Sequence, residues 1–233
     1  MASADRKTII VGVTGASGAI FAQTMLRLLD ADARVGRVHL VVTDTGQRLL
    51  QHELGVAGSL AELPVRLTGT RAAKIEALPN ADVGASIASG SYPANAMCVI
   101  PCSMGMLAAI ASGASNDLVS RAADVSLKEG RPLVLCVRDT PMSRIHLENM
   151  LRAHDAGAVI MPAIPSFYHL PRTIDDLVTQ YVCRVLAHMG LPQEKQFSWQ
   201  GQAAADPRPA TGPSMRSTAA GKRGKRPARG ARK

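Results

Sequence analysis

Residues 8–21, T-I-I-V-G-V-T-G-A-S-G-A-I-F, constrain the fold more than any other stretch. The strand formers Ile9, Ile10, Val11 and Val13 run into a turn of small residues. Met25, Leu26, Leu28 and Leu29 then recur at helical spacing. The order is strand, tight loop, helix. Small side chains let backbone N–H groups approach an anionic or planar ligand, and the helix start adds a positive dipole. Open α/β sheets bind ligands at the carboxyl edge of their strands, which makes this loop the expected site.

The same alternation continues down the chain. Residues 37–42 (R-V-H-L-V-V) read as a strand, and Thr43 can cap a helix running to about Glu53. The pattern is weakest over residues 54–85, where 65–67 reads as a short strand. Further strands are expected at 96–100, 133–137 and 158–161, and helices at 106–112, 116–129 and 143–156. Thr173-Ile-Asp-Asp176 opens a last helix as a capping box. Its apolar stripe runs through Leu177, Val178, Tyr181, Val182, Val185, Leu186 and Met189. Alternating strands and helices predict an α/β fold, a three-layer doubly wound and mostly parallel sheet covered on both faces.

The formal charge of +9 is unevenly spread. Nine of the 27 basic residues but only one of the 18 acids lie in residues 202–233, so the remainder is nearly neutral. That segment is rich in Ala, Gly and Pro and has too little apolar surface to offset its ordering entropy. We expect one folded domain over residues 1–201 and a disordered basic tail over 202–233. A solubilising role fits this tail better than nucleic-acid contact. No secretory signal or membrane span is visible. Cys98, Cys102, Cys136 and Cys183 lack C-x-x-C spacing and suit buried thiols in a reducing cytoplasm.

Gly15-Ala16-Ser17, Thr43, Ser103–Met106 and Arg138-Asp139 each follow an expected strand. In a doubly wound sheet these four loops converge on one edge. They offer backbone amides, three hydroxyls and a guanidinium, chemistry suited to a phosphorylated planar cofactor. The start T-G-A-S-G-A is shared with short-chain dehydrogenases, but G-x-G-x-x-G and Tyr-x-x-x-Lys are both missing. P-C-S-M-G lacks the first glycine of a G-x-S-x-G hydrolase elbow. The six histidines form no metal-binding spacing, and no metal is expected.

The strings T-G-A-S-G-A-I, I-A-S-G-S-Y, P-C-S-M-G, R-A-A-D-V-S-L-K-E-G-R-P-L-V-L, I-H-L-E-N-M-L, G-A-V-I-M-P-A-I-P-S-F-Y-H and D-D-L-V occur in this order. Together they resemble the UbiX-type flavin prenyltransferases, formerly labelled aromatic-acid decarboxylases, over about residues 7–191. The resemblance implies a Rossmann- or flavodoxin-like subunit, a dodecamer, and reduced FMN as co-substrate. It also implies transfer of a dimethylallyl group from dimethylallyl phosphate to flavin N5 and C6. The prenylated FMN would serve a UbiD-type decarboxylase. The related FMN-dependent cysteine decarboxylases typically show P-A-S-A-N-T where this chain reads P-C-S-M-G-M. A non-catalytic flavin carrier would have no need of the donor-binding residues.

Position by position, the resemblance assigns Gly15, Ala16 and Ser17 to the first flavin loop, with Ser17 near the reacting edge. Thr43 stands where Ser is common. Ser103, Met104, Gly105 and Met106 match the second flavin loop, Met106 replacing a frequent Thr. Arg138 matches a flavin-contacting arginine. Tyr168 and Arg184 match the pair that holds dimethylallyl phosphate, and Lys128 and Arg121 match cations near its phosphate, reached across a subunit interface. Asp139 replaces a Glu credited with proton handling, and Tyr92 is expected either at the flavin and prenyl group or at a subunit contact.

Overall fold

The computed structural model describes residues 6–199. Six parallel strands form one sheet in the order β3-β2-β1-β4-β5-β6. They are β1 (Lys7–Val13), β2 (Val35–Val42), β3 (Ile75–Pro79), β4 (Ala96–Cys102), β5 (Leu133–Val137) and β6 (Val159–Ile160). The chain leaves β1 toward β2 on one side, and later strands are added on the other. The order therefore reverses between β1 and β4, where a doubly wound sheet opens a crevice at its carboxyl edge.

Alternation along the strands builds two cores. Ile9, Val11 and Val13 point to one face, under α1 (Ala19–Ala31), α3 (Leu63–Thr68) and α7 (Ile174–His188). Ile10, Val41 and Val99 point to the other, under α4 (Met104–Ser112), α5 (Leu118–Lys128) and α6 (Arg144–Asp155). Strands buried on both faces explain why β4 and β5 are apolar throughout. Thr43, Ser103, Asp117, Ser143 and Thr173 each cap the following helix by accepting from a backbone N–H.

The doubly wound parallel sheet is borne out, with two corrections. Residues 65–67 lie in α3, a helix, because Pro64 fits its first turn and left-handed Gly69 closes it. These local stop and start signals outweigh the strand-like V-R-L. The second correction is β3, which the weak 54–85 pattern concealed. The basic tail expected over 202–233 lies outside the described residues.

One helix does not return alongside the sheet. α2 (Asp44–Leu54) starts on Thr43, and only Gly46 and Leu50 are buried along it. Its first turn sits on the β1 end so closely that a Cβ on Gly46 would lie 2.6 Å from the Val13 carbonyl oxygen. Helix propensity favours Ala over Gly by about 1 kcal/mol. The collision with fixed backbone should exceed that gain. We predict that Gly46→Ala lowers the melting temperature at fixed protein concentration, whereas propensity alone would raise it.

Candidate functional site

The carboxyl edge is stitched together around the order reversal. Thr14, buried after β1, donates its hydroxyl to the Pro101 carbonyl at 2.7 Å and accepts from the Ser103 amide at 2.8 Å. The Thr43 amide donates to the Val13 carbonyl at 3.0 Å, and the Arg138 amide to that of Cys102 at 3.1 Å. Loops after β1, β2, β4 and β5 therefore meet along one rim. The structure brings Gly15, Ala16, Ser17, Thr43, Ser103, Met104, Gly105, Arg138 and Asp139 to it, as their positions after the strands predict.

Local geometry sets what each can offer. A Cβ on Gly15 would come within 2.6 Å of Thr45, so only glycine lets the first loop lie against α2. Among the described residues, no protein group accepts from the amides of Gly15, Ala16 and Ser17. First-turn amides of a helix lack intrahelical acceptors, which leaves those of Met104 and Gly105 facing the rim. The Met106 amide is taken by the Ser103 hydroxyl at 3.3 Å, and the Met106 side chain packs in the second core. Met106 therefore has neither a hydroxyl nor a free amide for a ligand. Thr43 likewise spends its oxygen on the Gly46 amide at 3.1 Å. Asp139 accepts from the Thr140 amide at 2.8 Å.

Sequence reasoning missed Glu53. Its carboxylate accepts from the amides of Gly18 (3.0 Å) and Ala19 (2.7 Å) at the start of α1. Burial alone would raise its pKa. The Ser17 hydroxyl, the Ala19 and Gly18 amides and the charge of Arg138 outweigh burial and hold it below the ordinary value of 4.5. Thr43 is placed at the rim by the strand before it, but Glu53, at the far end of the helix, has no strand end to place it there. Because α2 crosses the start of α1, Glu53 returns to it.

The four residues that the resemblance assigns to the donor fall elsewhere. Lys128 ends α5 near the starts of β4 and β5, at the opposite edge of the sheet. It pairs with Glu129 and touches Gly90. Arg121 donates its Nε to the Ala88 carbonyl at 3.2 Å, so these two cations share the 88–91 loop. Asp176, Gln180 and Arg184 are spaced i, i+4 and i+8, on one face of α7. The Phe197 amide donates to Gln180 there, and the His169 ring lies 6.3 Å from that of Phe197. The loop bearing Tyr168, 72% exposed, is thus joined through His169 and Phe197 to the Gln180 turn of α7, one turn before Arg184. One chain holds a rim, an outlying pair of cations on α5 and a separate arginine on α7.

The rim's chemistry fits a flavin phosphate or isoalloxazine. Arg138 Nε is buried without a hydrogen-bond partner, a cost of about 1–3 kcal/mol unless a ligand supplies the acceptor. Among the described residues, no cluster of three His, Cys, Asp or Glu side chains is arranged to hold a metal. No helix there is long and apolar enough to cross a membrane.

Residues 2–185 match the family model described as Flavoprotein. The chain is 44% identical over 200 residues to the flavin prenyltransferase UbiX of Pseudomonas aeruginosa, covering 83% of this chain and 94% of that protein. Among solved structures, AnUbiX (PadA1) in complex with FMN and dimethylallyl pyrophosphate superposes with a TM-score of 0.76 at 39% identity, covering 84% of this chain and 98% of that one. A dodecameric FMN-dependent UbiX-like decarboxylase from Escherichia coli O157:H7 gives a TM-score of 0.75 at 41% identity, covering 83% and 100%.

Glu53 supplies a test of the rim geometry. A carboxyl whose folded pKa is depressed contributes stability above its unfolded pKa and loses it as pH falls through the folded one. Glu53→Gln should therefore flatten the fall in melting temperature below about pH 4.5. Parallel curves for wild type and variant would contradict the contacts at the start of α1.

Proposed function

The chain belongs to the flavoprotein family, among the UbiX flavin prenyltransferases, and on that premise we propose that it joins a dimethylallyl group to N5 and C6 of reduced FMN. The observation that carries this reading is the unpartnered Arg138 Nε on a rim of open amides. Reduced FMN supplies the electron-rich N5 and C6 at which the new bonds form. The amides of Gly15, Ala16, Ser17, Met104 and Gly105 would hold it, together with the Ser103 and Thr43 loops and Arg138.

The donor's C–O bond breaks with its electron pair leaving on phosphate. Lys128, Arg121, Arg184 and the Tyr168 hydroxyl stabilise the charge that develops there, as preplaced donors do in a water-poor site. These residues are dispersed in one chain, so the donor site is completed between copies. The dodecameric relative supports such an assembly. So do the large exposed apolar side chains Ile145, Leu147, Leu151, Ile164 and Phe167. Asp139 and Glu53 stand on the rim as carboxylates for the two protons displaced, from N5 and from C6; one is returned to the donor's alkene, whose π bond is spent in closing the ring on C6, and the other leaves with the departing phosphate. Ser17, whose hydroxyl favours the ionised form of Glu53, is placed to orient that carboxylate.

Dimethylallyl phosphate is the donor we assign, because the resemblance implies the monophosphate; the diphosphate is the competing donor. The product's modified flavin would pass to a UbiD-type decarboxylase. The four cysteines are free and buried, in keeping with the reducing cytoplasm in which we place the protein.

Anaerobic incubation with reduced FMN and each donor, followed by mass analysis of the extracted flavin, tests the activity. One added C5H8 unit is expected with dimethylallyl phosphate, and an unchanged mass with both donors overturns the proposal. Lys128→Ala and Arg184→Ala should each lose prenylation by roughly 10²-fold or more while retaining FMN. Loss of flavin by both variants would contradict their placement on the donor.

A further inference from the structure

Tyr92 does not reach the rim. Its hydroxyl lies 2.6 Å from His39 Nε2, inside the second core, and the two rings meet edge to face at 5.3 Å. His39 is buried in the middle of β2, and register pairs it with Glu76 on β3. The Glu76 carboxylate lies 3.5 Å from Nδ1, near enough to favour a proton there by charge, although the geometry is not that of a hydrogen bond. Nε2 is then left to accept the Tyr92 O–H.

The segment carrying Tyr92 is the one that touches the donor-site cations. Arg121 binds the Ala88 carbonyl, and Arg131 Nη2 donates to the Gly90 carbonyl at 2.6 Å. A side chain at Gly90 would run into Lys128 and Glu129. Those contacts act on the outer side of the loop, and the Tyr92 hydroxyl is its tether to the sheet.

We propose that Tyr92 and His39 are positioning residues for the prenyl donor: they latch residues 88–92 to β2, and the latched loop sets where Lys128 and Arg121 meet the donor phosphate. This rests on the donor role assigned to those two cations. It also makes Tyr92 a group that acts through the loop, rather than one that faces the flavin.

Tyr92→Phe keeps the ring and removes only the hydroxyl. It should raise the KM for dimethylallyl phosphate about 5–10-fold, the worth of one lost hydrogen bond, with kcat and FMN affinity held within about twofold. His39→Leu should do the same, His39→Gln should recover most of the loss, and Tyr92→Phe/His39→Leu should be no worse than either single change. An unmoved KM, or FMN affinity falling in step with it, overturns the latch. Amide exchange needs no activity. Residues 88–94 should exchange at least about tenfold faster in Tyr92→Phe, with α7 unchanged. Unaltered exchange would defeat the latch even if wild type prenylates. Faster exchange in a protein whose wild type does not prenylate would uphold the latch and refute the donor reading.

Discussion

The Thr14 hydroxyl is the joint on which the site depends. From the loop after β1 it donates to the Pro101 carbonyl near the end of β4 and accepts from the amide of Ser103, which caps the helix after that same strand. The Thr14 hydroxyl is buried, where leaving it unpaired would cost about 1–3 kcal/mol. Its two bonds hold the starts of α1 and α4 on one crevice, so two sets of unfilled amides face the same ligand. The reversal of strand order supplies the crevice, and Thr14 keeps its two walls in register.

Around that joint the remaining groups divide by charge. Glu53 lies on the start of α1, where the amides and Arg138 favour its ionised form. Arg138 keeps one buried nitrogen for a ligand. The other cations lie on α5 and α7, well away from the rim. On the proposed reading, cations kept off the flavin edge in the single chain would be added through assembly, and completion of the site would be conditional on neighbours.

Much of this was legible in the residues themselves. Strand runs such as L-V-L-C-V, buried on both faces, and the caps Thr43, Ser103, Ser143 and Thr173 mark their elements by local chemistry alone. Their convergence follows from parallel connectivity. Residues 54–85 were opaque because a 3₁₀ turn (Leu60–Glu62), a six-residue helix and an edge strand are each too short to show a period. Glu53 was missed because its position depends on the path of α2 across α1, a packing choice that no local pattern encodes. Met106 shows the converse: its place just after β4 is readable from sequence, but its burial and its occupied amide are not.

The central claim is that a flavin on the Thr14-centred rim receives its donor through cations from other copies of the chain. Co-expression of Lys128→Ala and Arg184→Ala subunits tests it most directly, because a mixed assembly contains sites whose two mutated positions come from different copies. If the account holds, purified mixed assemblies prenylate reduced FMN while each variant assembled alone does not. Mixed assemblies as inactive as the two parents would contradict it.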